Sequence, residues 1–162
     1  MSHLLVVVVN GYKFHTEQRE KSLTTQNSGV VVIENTAQGD ENIYYYGVLI
    51  DVLELQYLRG KRAVLFHCKW FDVYDKERGI TMDGYSFISI NYKWQLKTNE
   101  LFILASRASK ALYAMDNVNK GWHVVLKSYP HWSYKMLSSN GPSGLNNQNE
   151  VDHDDEEIPR KR

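Results

Sequence analysis

The chain has 162 residues and a formal net charge of zero, and 43% of its residues are hydrophobic and 12% aromatic. This composition is typical of a globular domain and excludes a disordered chain. The single cysteine, Cys68, cannot form an internal disulfide, and the apolar run at 4–9 is too short to cross a bilayer and has no basic residues before it. We therefore expect a protein that is not secreted, has a nuclear or cytoplasmic location and has no membrane partner.

The charges divide the chain into two parts. Residues 1–137 contain 16 basic and 13 acidic residues, a net charge of +3, whereas six acids fall between Glu150 and Glu157, just before the basic end 160–162. Residues 138–149 are mostly Ser, Asn and Gly and have almost no apolar surface to offset the entropy of ordering. We predict a folded domain over 1–137 and a disordered polar and acidic tail with a basic end over 138–162.

In chain order, the first half predicts a hairpin and two further strands. Asn10-Gly11 between the β-prone runs 6–9 and 12–14 is typical of a type I′ hairpin turn. Residues 15–28 are polar and predict a loop. A short strand over 29–33, a break at 37–42 and a long strand over 44–57 follow.

The second half continues the β pattern after a turn at 59–61. A strand over 62–70 places Val64, Phe66, Cys68 and Trp70 on one face. Further strands are predicted over 85–92, 101–105, 110–115 and 122–127, with a hairpin loop at 116–121 and a helical turn at 106–110. Seven or eight short strands predict a mostly β fold, a small antiparallel barrel or sandwich, and both architectures stay open.

No residue pattern predicts catalysis or a bound metal. His67 and Cys68 are adjacent on a strand and so point to opposite faces, and no second pair of metal ligands accompanies them. Four aspartates are spaced widely enough to converge in a two-metal nuclease: Asp51, Asp72, Asp75 and Asp83. The second and third of these follow a strand, where turn-forming aspartates are common. We predict a protein that is not an enzyme and has no metal and no cofactor.

Aromatic side chains are the best candidates for a binding site. They concentrate at seven positions: Tyr44, Tyr45, Tyr46, Trp70, Phe71, Tyr74 and Trp122. Alternation along a strand sends part of the tyrosine triplet outward. Aromatics beside acidic residues can form a cage for a methylated lysine, and aromatics between Lys and Arg can stack nucleic-acid bases. Packing in strands and core is the simpler alternative.

Several strings, taken in order, carry a resemblance to a known family: VVNGYKFHT at 8–16, TQNSGV at 25–30, YYGVL at 45–49, ELQY at 54–57, LFHCKWFD at 65–72, FILAS at 102–106 and GWHVVLK at 121–127. Together they resemble the plant domain of unknown function numbered 4216, found in proteins of CACTA (En/Spm-class) DNA transposons. The resemblance covers about 8–130. The resemblance implies that the cleavage of DNA strands belongs to a separate transposase region. Ala-Leu-Tyr-Ala at 111–114 departs from the bulkier Val-Phe-Tyr-Val of relatives.

The resemblance and the aromatic residues together predict a non-catalytic accessory binding module of plant transposon origin that engages DNA or chromatin proteins. The alternative is a structural or oligomerisation domain of a transposition complex with no nucleic-acid contact. The apolar runs 6–9 and 30–33 motivate this alternative, because apolar strands at a sheet edge invite self-association.

Overall fold

The computed structural model describes residues 1–37, 41–98 and 102–130. The described residues form eleven strands: β1 (Ser2–Leu4), β2 (Val6–Val9), β3 (Tyr12–His15), β4 (Gly29–Asn35), β5 (Asn42–Gln56), β6 (Arg62–Trp70), β7 (Ile80–Met82), β8 (Ile88–Asn91), β9 (Phe102–Leu104), β10 (Ser109–Met115) and β11 (Trp122–Lys127). The described residues also form one four-residue helix, α1 (Glu17–Glu20), and two 3₁₀ turns, at Leu58–Gly60 and Ala105–Arg107. The predicted tail, and residues 131–137 of the predicted domain, lie outside this part of the chain.

The strands form one large antiparallel sheet and one separate hairpin. Nine strands belong to the large sheet, in the order β7-β8-β11-β10-β4-β5-β6-β9, with β1 pairing with β5 beside β4. The sheet is not closed, because its end strands β7 and β9 do not pair with each other. The mostly β prediction is therefore confirmed, and the described strands form a sandwich-like arrangement rather than a barrel.

The central strand β5 organises the sheet. It pairs with β4 and β1 along one side and with β6 along the other, and its pairing with β6 shifts between Leu49 and Asp51. Such a bulge increases the local twist of a strand. The middle of β5 is buried on both faces of the sheet, at residues 46–49 and 52–53, whereas its two ends are partly exposed.

Two apolar clusters lie on the two faces. The first cluster includes Phe14 from the hairpin, whose ring meets that of Phe66 edge-on at 5.0 Å, and this contact packs the hairpin onto the large sheet. The second cluster centres on Phe71 and on Tyr113 of β10, and it includes Ile90 of β8 and Ala111 of β10. The Tyr113 hydroxyl donates to the carbonyl oxygen of Gly47 at 2.8 Å and so crosses to the central strand.

Several strand predictions are confirmed. Asn10 and Gly11 form the hairpin turn with φ of 52° and 77°, the left-handed conformation that a type I′ turn requires. Strands 62–70 and 122–127 have the predicted bounds. The alternation in β6 is also confirmed, because Phe66, Cys68 and Trp70 are buried.

The predicted loop at 15–28 is more ordered than expected. Thr16 caps the N-terminus of α1, where its hydroxyl accepts from the Arg19 N–H at 3.3 Å. The Glu20 carboxylate accepts from the Asn27 and Ser28 N–H groups at 2.9 and 2.6 Å. One side-chain carboxylate therefore fixes the path of this segment into β4.

The side chain of Gln26 acts as a substitute for a strand. Its amide oxygen accepts from the Tyr113 N–H at 2.5 Å, and its amide nitrogen donates to the Tyr113 carbonyl oxygen at 3.1 Å. Backbone pairing between β10 and β4 covers only Ser109 and Lys110. Gln26 therefore extends the pairing of β10 beyond the point where β4 ends.

Other parts of the prediction were wrong. Strand 85–92 is reduced to Ile88–Asn91, because the Asp83 side chain accepts from the N–H groups of Tyr85 and Phe87 and holds a turn there. The short strands β1 and β7 were not predicted. Val30 and Val31 pair on both sides and are not at a sheet edge.

No helix among the described residues is long and apolar enough to cross a membrane.

Gly29 gives a test of the contact between β4 and β10. A Cβ atom at this position would lie 2.0 Å from the carbonyl oxygen of Ala111. We expect Gly29→Ala to lower the free energy of unfolding by about 3 kcal/mol, because two paired backbones must separate. Urea denaturation measures the change. Gly84→Ala is the matched control, since a Cβ there has nothing within 4 Å; equal stability of the two variants would contradict the register.

The lowered pKa values of two histidines predict that the free energy of unfolding falls in acid. The His123 ring stacks on Tyr92 with centroids 3.8 Å apart, and burial lowers the pKa of His123 below 6.5. Burial, followed by the charges of Lys13 and Arg19, likewise lowers the pKa of His15. The unfolded chain binds these protons more readily, so the free energy of unfolding falls as the pH drops below about 6.5.

The test is the melting temperature of the wild type and of His123→Phe between about pH 7.5 and 5. Phenylalanine keeps a ring against Tyr92 and removes the titrating group. We expect a shallower fall in the variant, with the remainder due to His15. Identical pH profiles would show that His123 does not contribute.

Candidate aromatic binding cavity

Three of the aromatic residues singled out in the sequence line one cavity. Tyr45, Trp70 and Tyr74 surround a space of about 230 Å³, which we call the aromatic cavity. Apolar side chains complete its walls: Val32, Leu96 and Ile103. Drug-sized ligands usually occupy about 300–1,000 Å³, so this cavity has the size for a single side chain or a similar small group.

Strand register positions two of the three rings. Tyr45 on β5 lies opposite Val32 on β4, and Trp70 at the end of β6 lies opposite Gly47 on β5. Gly47 and Tyr45 are two residues apart and therefore share a face of the sheet. A Cβ atom on Gly47 would lie 2.7 Å from a carbon of the Trp70 ring, so the ring occupies the space that a side chain would need.

A turn after β6 positions the third ring. The Asp72 side chain accepts from the N–H groups of Tyr74 and Asp75 at 2.9 and 3.2 Å, as turn-forming aspartates do. Asp75 in turn accepts from the Arg78 N–H at 2.9 Å and pairs with its guanidinium at 2.8 Å. Gly79 completes the segment, where a Cβ atom would lie 2.1 Å from the Asp72 carbonyl oxygen.

The two tyrosines are held together at the cavity. Their hydroxyl oxygens are 2.5 Å apart, and their rings meet edge-on at 68° with centroids separated by 6.1 Å. Burial, together with hydrogen bonds involving Tyr74 and Glu34, raises the pKa of Tyr45. The Glu34 carboxylate thus acts on the Tyr45 hydroxyl, and the Tyr45 phenol is neutral at physiological pH.

The cavity carries one charged residue of each sign. Glu34 extends from β4, and Arg107 from the 3₁₀ turn before β10. Both residues are exposed. The aromatic rings and the carboxylate favour a cationic group, whereas the guanidinium opposes one.

The other four candidate residues lie elsewhere. Phe71 is fully buried against Tyr92 and Tyr113, and Tyr46 is also buried, where loss of hydration raises its pKa to about 12. Tyr44 and Tyr46 border a separate cavity of about 410 Å³. Trp122 is half-buried on β11 and lines none of the cavities described here. The Phe71 ring therefore packs in the core, and Tyr46 is buried at the border of this second cavity.

The residues considered for chemistry are dispersed. Asp72, Asp75 and Asp83 accept backbone hydrogen bonds in their own turns, and Asp51 lies 2.8 Å from His3. Within 1–37, 41–98 and 102–130, no group of three His, Cys, Asp or Glu side chains could hold a metal ion. Cys68 is buried, and burial raises the pKa of its thiol.

Sequence reasoning missed the residues that complete the cavity: Val32, Glu34, Leu96, Thr98, Ile103 and Arg107. They come from four separate stretches of the chain. The local signals were the predicted strands at 29–33 and 101–105 and the predicted turn at 106–110, and the register of the first strand with β5 brings Val32 beside Tyr45. Contacts of this kind depend on strand pairing over long separations, and no local pattern encodes them.

One comparison with known proteins gives a match. Neither a curated protein nor a solved structure matches the chain. Residues 53–125 match the family model described as "Domain of unknown function (DUF4216)". The matched segment begins within β5 and ends within β11, and it includes Trp70, Tyr74 and Arg107. From residue 53 to residue 125, the chain is therefore similar to the domain of unknown function numbered 4216.

Proposed function

We propose that this chain is a non-catalytic accessory binding module of plant CACTA transposon origin that engages chromatin proteins. In this proposal, the aromatic cavity holds the side chain of a methylated lysine. The observation that carries it is the arrangement of Tyr45, Trp70 and Tyr74 around one small space with Glu34 beside it. The proposed origin rests on the resemblance of the sequence to the domain found in CACTA transposon proteins, since the family matched over 53–125 is described only as a domain of unknown function. A nuclear location would bring the module to such partners.

The chemistry of a methylated ammonium group suits this cavity. Its methyl groups bury apolar surface, and its charge is attracted to the negative faces of aromatic rings. The edge-on Tyr45 and Tyr74 rings form two walls at a steep angle, and their hydroxyl contact holds them before a ligand arrives. Because these walls are fixed before the ligand binds, less side-chain conformational entropy is lost on binding.

The same cavity is poorly suited to nucleic acid. A base with its sugar and phosphate requires more space than about 230 Å³ offers beside these walls, and a phosphate requires cations. Arg107 is the only cation among the lining residues, and Glu34 offsets it. Between DNA and a chromatin protein, the aromatic cavity therefore favours the protein.

The first test compares histone-tail peptides with and without trimethyllysine. Fluorescence anisotropy with the full chain measures their affinity. We expect the methylated peptide to bind, and Tyr74→Ala to weaken it about 10-fold, since a cation–π contact contributes about 0.5–2 kcal/mol. Tyr85→Ala is the matched control, because Tyr85 is 87% exposed and does not line the cavity. Equal affinity for methylated and unmodified peptides would contradict the proposal.

The charges at the cavity give a second, independent test. Removing the carboxylate in Glu34→Gln should weaken binding of a trimethyllysine peptide, and removing the guanidinium in Arg107→Gln should strengthen it. Isothermal titration calorimetry measures both changes, each expected to be about 2- to 5-fold for exposed charges. If both signs were reversed, the cavity would take an anion instead of a methylated lysine.

One observation favours the alternative, a structural or oligomerisation domain. Strand β9 lies at the end of the sheet and pairs only with β6 in the described part of the chain, and its Phe102 and Leu104 side chains are 47% and 48% exposed. An edge of this kind can pair with a second copy. Sedimentation velocity decides: a dimer that Leu104→Lys abolishes would support the alternative, and a monomer at high concentration would contradict it.

A further inference from the structure

A second and larger cavity lies between the hairpin and the strands β10 and β11. It has a volume of about 810 Å³, and we call it the basic groove. Lys13 from β3 and Lys110 from β10 line it, and none of its lining residues within 1–37, 41–98 and 102–130 is acidic. It shares no lining residue with the aromatic cavity. Its described lining therefore makes the basic groove a separate site with positive charge.

Further evidence for positive charge comes from the neighbouring histidine. The pKa of His15 is lowered by burial and then by the charges of Lys13, Arg19 and Lys110. The opposing charge is that of Glu20, whose carboxylate is engaged by the N–H groups of Asn27 and Ser28. Lys13 and Arg19 each act on this buried ring more strongly than Glu20 does, so the net effect of the charges around it is that of a positive charge. Lys110 also donates to the side-chain oxygen of Asn27, which ties its ammonium group to the groove wall.

The interior of the groove is apolar and aromatic. Leu112 and Leu126 are paired neighbours on β10 and β11 and contribute apolar surface. Tyr12 and Tyr129 add two rings, and Tyr129 is 58% exposed. Aromatic surface beside lysines is the combination with which proteins bind single-stranded nucleic acid, because bases stack on the rings and phosphates meet the cations.

We propose that the basic groove binds a single strand of nucleic acid, with its phosphates at Lys13 and Lys110 and its bases against Tyr12 and Tyr129. A duplex presents its phosphates but keeps its bases stacked inside, so it would leave the aromatic surface unused. An acidic peptide would meet the lysines but would gain little from the rings. The combined lining favours a strand with both phosphates and accessible bases.

The test is fluorescence anisotropy of a labelled oligothymidylate of about 15 nucleotides titrated with the full chain at several salt concentrations. We expect saturable binding at low salt that weakens linearly in log salt, by about 0.7 for each phosphate contacted. Lys13→Gln should weaken binding at low salt and reduce this slope by about 0.7. Lys61→Gln is the matched control, because Lys61 is exposed in the turn before β6 and lines neither site.

Tyr129→Ala separates stacking from charge. It should weaken binding about 10-fold and leave the salt slope unchanged, since stacking on one ring contributes about 1–3 kcal/mol. A duplex and a polyglutamate of equal charge should bind more weakly than the oligothymidylate. Equal binding of all three, or no binding at low salt, would overturn the proposal.

The proposals for the two sites can be tested independently of each other. Tyr74→Ala, which removes a ring of the aromatic cavity, should leave oligothymidylate affinity unchanged. Likewise, Lys13→Gln should leave the affinity for a trimethyllysine peptide unchanged. If Tyr74→Ala weakened the oligothymidylate as much as Lys13→Gln does, the basic groove would not be the nucleic-acid site.

Discussion

The contact between the Trp70 ring and the backbone of Gly47 is the constraint on which the rest of this structure depends. On one face of β5, the ring fills the space that a side chain at Gly47 would occupy. On the other face, the Tyr113 hydroxyl donates to the Gly47 carbonyl oxygen. The two apolar clusters therefore meet at one residue without a side chain. Since Tyr45 lies two residues before Gly47, the same contact sets two walls of the aromatic cavity.

The parts of the fold that local rules govern could be predicted from the sequence. Asn10-Gly11 requires left-handed backbone, and alternation in 62–70 assigns the buried face, so the hairpin and β6 were predicted correctly. β1 and β7 have three residues each, too few for a periodic signal. The helical turn at 17–20 depends on its Thr16 cap and on Glu20 reaching the N–H groups of Asn27 and Ser28, and these contacts form only after the chain folds back.

The candidate site was only partly predictable for a similar reason. Composition singled out Tyr45, Trp70 and Tyr74, but it also singled out Phe71, which the core encloses. A run of aromatic residues does not say which rings face outward, because the register of a bulged strand and the turn at Asp72 decide this. The two proposals place different chemistries at the two cavities: a methylated lysine at the aromatic cavity and a single strand of nucleic acid at the basic groove.

The side chain of Gln26 has a consequence for how molecules of this protein behave toward one another. Beyond Lys110, no strand in the described part of the chain lies beside β10 on the side of β4, and such a backbone edge can recruit a strand from another molecule and begin an aggregate. By bonding both the N–H and the carbonyl oxygen of Tyr113, one amide closes that edge at its most central residue. We therefore expect the solubility of the folded chain at high concentration to depend in part on a single glutamine, a residue that carries no charge and occupies no strand.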